Sequence, residues 1–124
     1  MARIGFIGLG NMGVPMALNL QGAGHDVRGY DVSDSARDGA SQKGLEIAAH
    51  NCSVANAADV VILMLPDGPI VEAVAGEVLD EMQDGALLID CSTIDVATAR
   101  AVHKRADATG ILCLDAPVSG GVVG

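Results

Sequence analysis

The chain has 124 residues, half of them hydrophobic, yet it has one Phe, one Tyr and no Trp, so its core must be built from aliphatic side chains. That length is one domain's worth and can bury such a core. Sixteen acidic against seven basic residues give a net charge of −9. This balance argues against nucleic acid, whose expected footprint is a basic face, but not against a phosphate-bearing cofactor, because backbone N–H groups at a helix start hold phosphate without lysines.

In chain order, the apolar runs predict strands at 3–8, 26–30, 46–48, 59–65, 86–90 and 111–115. The strongest are near-continuous rather than alternating, as expected where helices cover both faces of a parallel sheet. Helices are expected in the gaps. The first runs over 11–23, with Met12, Met16 and Leu20 four residues apart and Gly24 as its stop. Ser33 or Asp34 caps the second, which Gly44 closes. The third runs from Pro69 to Met82, with Val71, Val74 and Val78 at three- and four-residue steps. Asp95 opens the fourth, which passes Val102 and Ala106 and stops at Gly110. Strand and helix alternate throughout, which predicts a Rossmann-type, doubly wound α/β sheet with order 3-2-1-4-5-6.

Gly8-Leu9-Gly10-Asn11-Met12-Gly13 fits GxGxxG. Alone the pattern is weak in a glycine-rich chain, but here it follows an apolar strand and opens a helix. Gly8 would permit the tight turn, Gly10 the approach of a pyrophosphate, and Gly13 close packing of helix on strand. Asp31 ends the second strand 18 residues after Gly13, where a carboxylate should accept from adenosine ribose hydroxyls. No Arg follows Asp31 directly to meet a 2′-phosphate; Arg37 is placed inside the next helix. Flavin and S-adenosylmethionine sites share glycine-rich first loops, so the loop by itself leaves the cofactor open.

Ligands of an open parallel sheet sit at the carboxyl ends of its strands. Three later segments fall there: Met64-Leu65-Pro66, Cys91-Ser92-Thr93, and the run from Asp115 through Ser119, Gly120 and Gly121. Taken singly, Ser92 and Thr93 are explained by turn chemistry, and the Ser119 segment could equally be a flexible linker. Together, GFIGLGNMGVPMALNL, the MLP step, LLIDCSTID and LDAPVSGG resemble the β-hydroxyacid dehydrogenase family across the whole chain. The resemblance implies NAD as cofactor, with backbone contacts from Gly8, Leu9, Gly10, Asn11, Met12 and Gly13. It implies Asp31 on the adenosine ribose, Leu65, Pro66 and Ile70 around the adenine end, and Thr93 near the nicotinamide. Ser119, Gly120 and Gly121 would hold a substrate carboxylate. The implied reaction is reversible oxidation of a small 3-hydroxy acid, with the family's catalytic Lys falling beyond Gly124. Sister members acting on other semialdehydes, and a non-catalytic dinucleotide-binding module, stay open.

APVSGGVVG reads as a loop leaving a strand, so the chain is expected to be the incomplete first domain of a longer protein, homo-oligomeric when whole. Lys43 and Lys104 read as solvated helix charges. His25, His50 and His103 are placed in a turn, a loop and a late helical turn, away from the strand ends, and no catalytic role is assigned to them. Neither they nor the scattered carboxylates show metal-ligand spacing. Cys52, Cys91 and Cys113 read as buried small hydrophobes of a reducing compartment, cytosol or mitochondrial matrix. No apolar run is long enough for a membrane span, and no signal peptide is read.

Overall fold

The computed structural model describes residues 2–117. Six parallel strands form one sheet in the order β3-β2-β1-β4-β5-β6: β1 (Arg3–Ile7), β2 (Asp26–Tyr30), β3 (Glu46–Ile47), β4 (Val60–Leu63), β5 (Leu87–Asp90) and β6 (Leu112–Asp115). The helices between them are α1 (Gly13–Gly22), α2 (Asp34–Gln42), α3 (Asn51–Ala55), α4 (Gly68–Leu79) and α5 (Val96–Thr109). The order reverses at β1, which pairs with β2 on one side and β4 on the other. That reversal opens a crevice at the carboxyl edge.

Alternation along each strand divides the core in two. Ile4, Phe6, Val27 and Ile62 pack with Val14 and Ala17 of α1 and Ala40 of α2. Ile7, Val61, Leu63 and Leu88 pack on the opposite face with Val54, Val71, Val78 and Val102 of α3, α4 and α5. Both faces are covered over the central strands β1 and β4, which is why these read as near-continuous apolar runs, whereas Leu112 and Leu114 of β6 are 64% and 51% exposed. Phe6, Leu63 and Leu88 are fully buried, each contributing about 1.5–3 kcal/mol through burial alone. No helix among the described residues is long and apolar enough to cross a membrane.

The strand predicted at 59–65 is shorter, Val60–Leu63, and the helices depart from the sequence pattern in three places. α1 opens at Gly13 rather than Asn11, and its buried stripe is Gly13, Val14 and Ala17; Met16 and Leu20 only border the core. α4 ends at Leu79, with Met82 buried in the turn beyond. α3 had no periodicity to announce it, because it is a single turn of NCSVA, too short to repeat. The sign of it lies elsewhere, at Gly5 inside β1. A Cβ there would meet Val54 Cγ1 at 2.3 Å and the Val54 carbonyl at 2.7 Å, so the glycine admits α3 against the strand.

Gly13 and Gly39 make opposed predictions. A Cβ on Gly13 would lie 1.9 Å from the Gly8 carbonyl oxygen, whereas one on Gly39, mid-helix in α2, meets nothing within 4 Å. Gly13→Ala should therefore cost roughly 2–3 kcal/mol by overpacking. Gly39→Ala should add about 0.5–1 kcal/mol through helix propensity. Urea unfolding of the two variants beside the parent checks both signs.

Candidate functional site

The turn after β1 is built from glycine and main-chain contacts. Gly8 has φ +105°, donates its N–H to the Tyr30 carbonyl at 3.0 Å, and would place a Cβ 2.0 Å from the Met64 carbonyl oxygen. It is therefore wedged between β2 and β4, where only glycine fits. Gly10 has open space where its side chain would be. Leu9 turns its side chain inward, 2% exposed, and its N–H outward to Asp31.

Asp31 fastens this turn to the next. Its Oδ2 accepts from Leu9 N at 2.8 Å and its Oδ1 from Ser33 N at 2.9 Å. An ionised carboxylate has lone pairs left for ribose hydroxyls after these two bonds. Ser33, rather than Asp34, caps α2 through Ala36 N. Arg37, one turn into α2, reaches back to donate to the Asp31 carbonyl at 2.7 Å; its distance along the chain concealed this approach.

The helix starts differ in a way that bears on ligands. Ser33, His50, Asp67 and Asp95 each cap their helix with a side-chain acceptor, whereas α1 begins at Met12 with none and has no acidic residue in its first turn. Its positive end is thus left for an external anion. Gly10, Asn11, Val14 and Pro15 line a cavity of about 330 Å³ between this start and α2.

On the other side of the switch point, Leu65 and Pro66 leave β4 and Asp67 caps α4 through Ile70 N at 3.0 Å. Ile70 itself is 40% exposed. Ser92 sets the position of this wall: buried after β5, its Oγ accepts from Leu65 N at 2.8 Å. Its own N–H donates to Asp90 Oδ1 at 2.9 Å. Turn chemistry alone did not show that Ser92 ties β5 to the end of β4, because the pairing spans 27 residues.

Asp90 is 1% exposed, and its Oδ2 has no partner among the described residues. Burial raises its pKa, the neighbouring Asp115 charge adds to the rise, and hydrogen bonds from Ser92 and the charge of His103 counter it. His103 lies midway along α5 rather than late in it, and its ring reaches the carboxyl end of β6. Nε2 stands 3.0 Å from Asp115 Oδ2, off the line of a good hydrogen bond. Thr93, Arg100, His103, Asp115 and Pro117 line a cavity of about 770 Å³ beside it.

His25 accepts from Ala2 N at 3.0 Å and His50 caps α3, so both have structural employment. Cys113 is pushed up to about 11 by burial and nearby carboxylates, and burial also raises Cys91; neither is a ready thiolate. Among the described residues no three His, Cys, Asp or Glu side chains gather as a metal site. Residues 8–13, Asp31, Leu65, Pro66 and Thr93 thus share the carboxyl edge, with Ile70 in the first turn of α4. Ser119, Gly120 and Gly121 lie outside the described residues.

Residues 3–124 match the family described as the NAD binding domain of 6-phosphogluconate dehydrogenase. The chain is similar to a probable 3-hydroxyisobutyrate dehydrogenase of Mycobacterium tuberculosis, 49% identical over all of this chain and 42% of that protein. It is also similar to an NAD-dependent L-serine dehydrogenase of Pseudomonas aeruginosa, 42% identical over all of this chain and 43% of that one. The chain thus spans about two fifths of the length of these relatives. A solved structure of the Mycobacterium tuberculosis 3-hydroxyisobutyrate dehydrogenase with L-serine superposes with a TM-score of 0.95 at 49% identity, over 98% of this chain and 42% of that one.

Ser92 and Asp90 give testable energetics. Ser92→Ala leaves the Leu65 N–H without its acceptor and should cost about 1–3 kcal/mol, read by urea unfolding. Asp90, raised in the fold above its ordinary value of 3.8, contributes stability that is full below that value and lost as pH rises through the raised one. The stability of Asp90→Asn relative to the parent should therefore grow as pH rises from about 4 toward 7. A difference that stays flat across that range would mean Asp90 ionises normally.

Proposed function

The chain belongs to the family of NAD-binding domains described for 6-phosphogluconate dehydrogenase, and we propose that it is the cofactor-holding first domain of an enzyme that reversibly oxidises 3-hydroxyisobutyrate to methylmalonate semialdehyde, a step of valine breakdown. The observation that supports a dinucleotide here is the uncapped start of α1 beside a glycine turn that Asp31 holds in place. The residues fit NAD in charge and space: free helix-start amides for the pyrophosphate, open space at Gly10, and a carboxylate at the end of β2 for the ribose. NAD, when bound, supplies the hydride acceptor.

The chain's own residues position and exclude. Residues 8–13 hold the phosphates through backbone N–H groups. Leu65 and Pro66, set by Ser92, form the wall at the adenine end, and Ile70 extends it. Thr93 stands on the nicotinamide side. Ser119, Gly120 and Gly121 offer a hydroxyl and, with two adjacent glycines, N–H groups able to converge on a substrate carboxylate. The base for the hydroxyl proton is assigned to a Lys in a longer parent chain, because Lys104 is an exposed residue of α5 and Lys43, read as a helix charge, stands exposed in the turn that closes α2.

A second reading is favoured by the relatives. L-serine also carries a carboxylate and a hydroxyl on its third carbon, and it appears in the name of one relative and in one superposed structure. The two substrates share their anchoring chemistry and differ at the second carbon, methyl against ammonium. Activity of the longer enzyme on each substrate separates them.

Two outcomes test the proposal. NAD should bind more tightly than NADP, because a 2′-phosphate would meet the Asp31 carboxylate, and Asp31→Ala should narrow the gap; tighter binding of NADP by the parent would end this assignment. In the longer enzyme, Ser119→Ala should lower kcat/KM for the hydroxy acid by about 10- to 150-fold, the worth of one charge-assisted hydrogen bond, with NAD affinity nearly unchanged. A loss confined to NAD binding would remove Ser119 from the substrate site.

A further inference from the structure

Arg37 is held more firmly than a surface cation of a nine-residue helix needs to be. Nη1 of its guanidinium donates to the Asp31 carbonyl at 2.7 Å, and Nη2 pairs with the Asp34 carboxylate. Its central carbon lies 5.4 Å from the centroid of the Tyr30 ring. Its side chain is only 26% exposed, against 88% for Asp34. Helical side chains lean toward the N-terminus, so a residue one turn into α2 returns to the end of β2. There it stands against the backbone carbonyl of Asp31, the residue whose carboxylate is proposed to receive the adenosine ribose.

We propose that Arg37 is a specificity-determining residue of the adenosine pocket, a cation already placed for a 2′-phosphate and overruled by Asp31. The inference rests on the reading of this crevice as the NAD site. A 2′-phosphate carries close to two negative charges. In the parent it would face the carboxylates of Asp31 and Asp34 against the single charge of Arg37, a net repulsion. With Asp31 made neutral, the balance at that point no longer opposes the phosphate. A guanidinium has N–H groups beyond the two in use, in the planar fork that suits phosphate oxygens. Acceptance of NADP then needs no added basic residue. Ser33 and Ser35, whose hydroxyls lie 3.1 Å apart at the start of α2, offer further donors to the same oxygens.

The experiment is a titration of NAD and NADP into the protein and its Asp31→Asn, Arg37→Ala, Arg37→Lys and Asp31→Asn/Arg37→Ala variants, by calorimetry. Asn keeps one acceptor for the glycine turn, and thermal unfolding verifies each variant. Asp31→Asn should narrow the NAD-over-NADP gap by about 10-fold, and adding Arg37→Ala should remove that gain while NAD affinity moves less than about 3-fold. If the Asn variant does not fold, the single variants decide. Arg37→Ala in the parent should weaken NADP several-fold more than NAD, and Arg37→Lys should restore part of the difference. Equal weakening of both cofactors would reduce Arg37 to a brace for Asp31 and overturn the inference. So would a double variant that binds NADP as well as Asp31→Asn does. Intact NAD binding with either result leaves the NAD reading standing, whereas no NAD binding by the parent overturns both.

Discussion

The carboxyl edge of this sheet depends on how closely α1 can approach β1. That distance is set where Gly13 faces the Gly8 carbonyl and Gly8 faces the Met64 carbonyl, with no side chain between them. A Cβ at Gly13 would push the helix outward, and one at Gly8 would push the turn away from the end of β4. The uncapped start of α1 would then leave the crevice, and Leu9 N would leave the Asp31 carboxylate it now meets at 2.8 Å. Close packing of helix on strand and presentation of amides to a ligand are thus one constraint. Glycine meets it because it is the residue that lets backbones touch.

The chain's acidity poses a question that the geometry answers locally. A protein of net charge −9 repels an anionic dinucleotide at long range, although salt screens much of that repulsion beyond about 8–10 Å. Close to the crevice the field is arranged differently. α1 offers its positive end without a carboxylate cap, while Asp67 and Asp95 occupy the corresponding positions of α4 and α5. The Asp31 charge is partly spent on two backbone N–H groups, and Arg37 stands against its carbonyl. Placement of charge rather than its total governs what this edge can hold.

Beyond β5 the packing serves the same edge by another means. Asp90 and Asp115 are neighbours in register on β5 and β6, and two carboxyl groups side by side would repel. Asp90 answers by burial and bonds to Ser92, Asp115 by its approach to His103. Because Ser92 also receives Leu65 N, the acidic end of β5 is coupled to the wall at the end of β4. The half-exposed His103–Asp115 pair contributes little stability by itself; its geometric effect is to bring α5 over the exit of β6.

The sequence by itself determined the alternation of strands and helices, the order of the sheet, the glycine turn after β1, Asp31 at the end of β2, and the helix starts near Ser33 and Asp95. These follow from periodicity, turn chemistry and capping, which act over a few residues and are written in consecutive letters. Tertiary structure decided the rest, including that Ser33 rather than Asp34 is the cap and that Asp95 caps α5 from outside it. α3 was hidden because one turn has no period, and its trace was a glycine in a different element. Met16 and Leu20 looked like the buried stripe of α1, but the closeness demanded at Gly13 rotated Val14 and Ala17 inward instead. Ser92 to Leu65, Arg37 to Asp31 and His103 to Asp115 were unreadable because each joins side chain or backbone across separate elements. Such meetings depend on register, helix rotation and the depth of packing, which arise only when the two faces of the sheet are covered together.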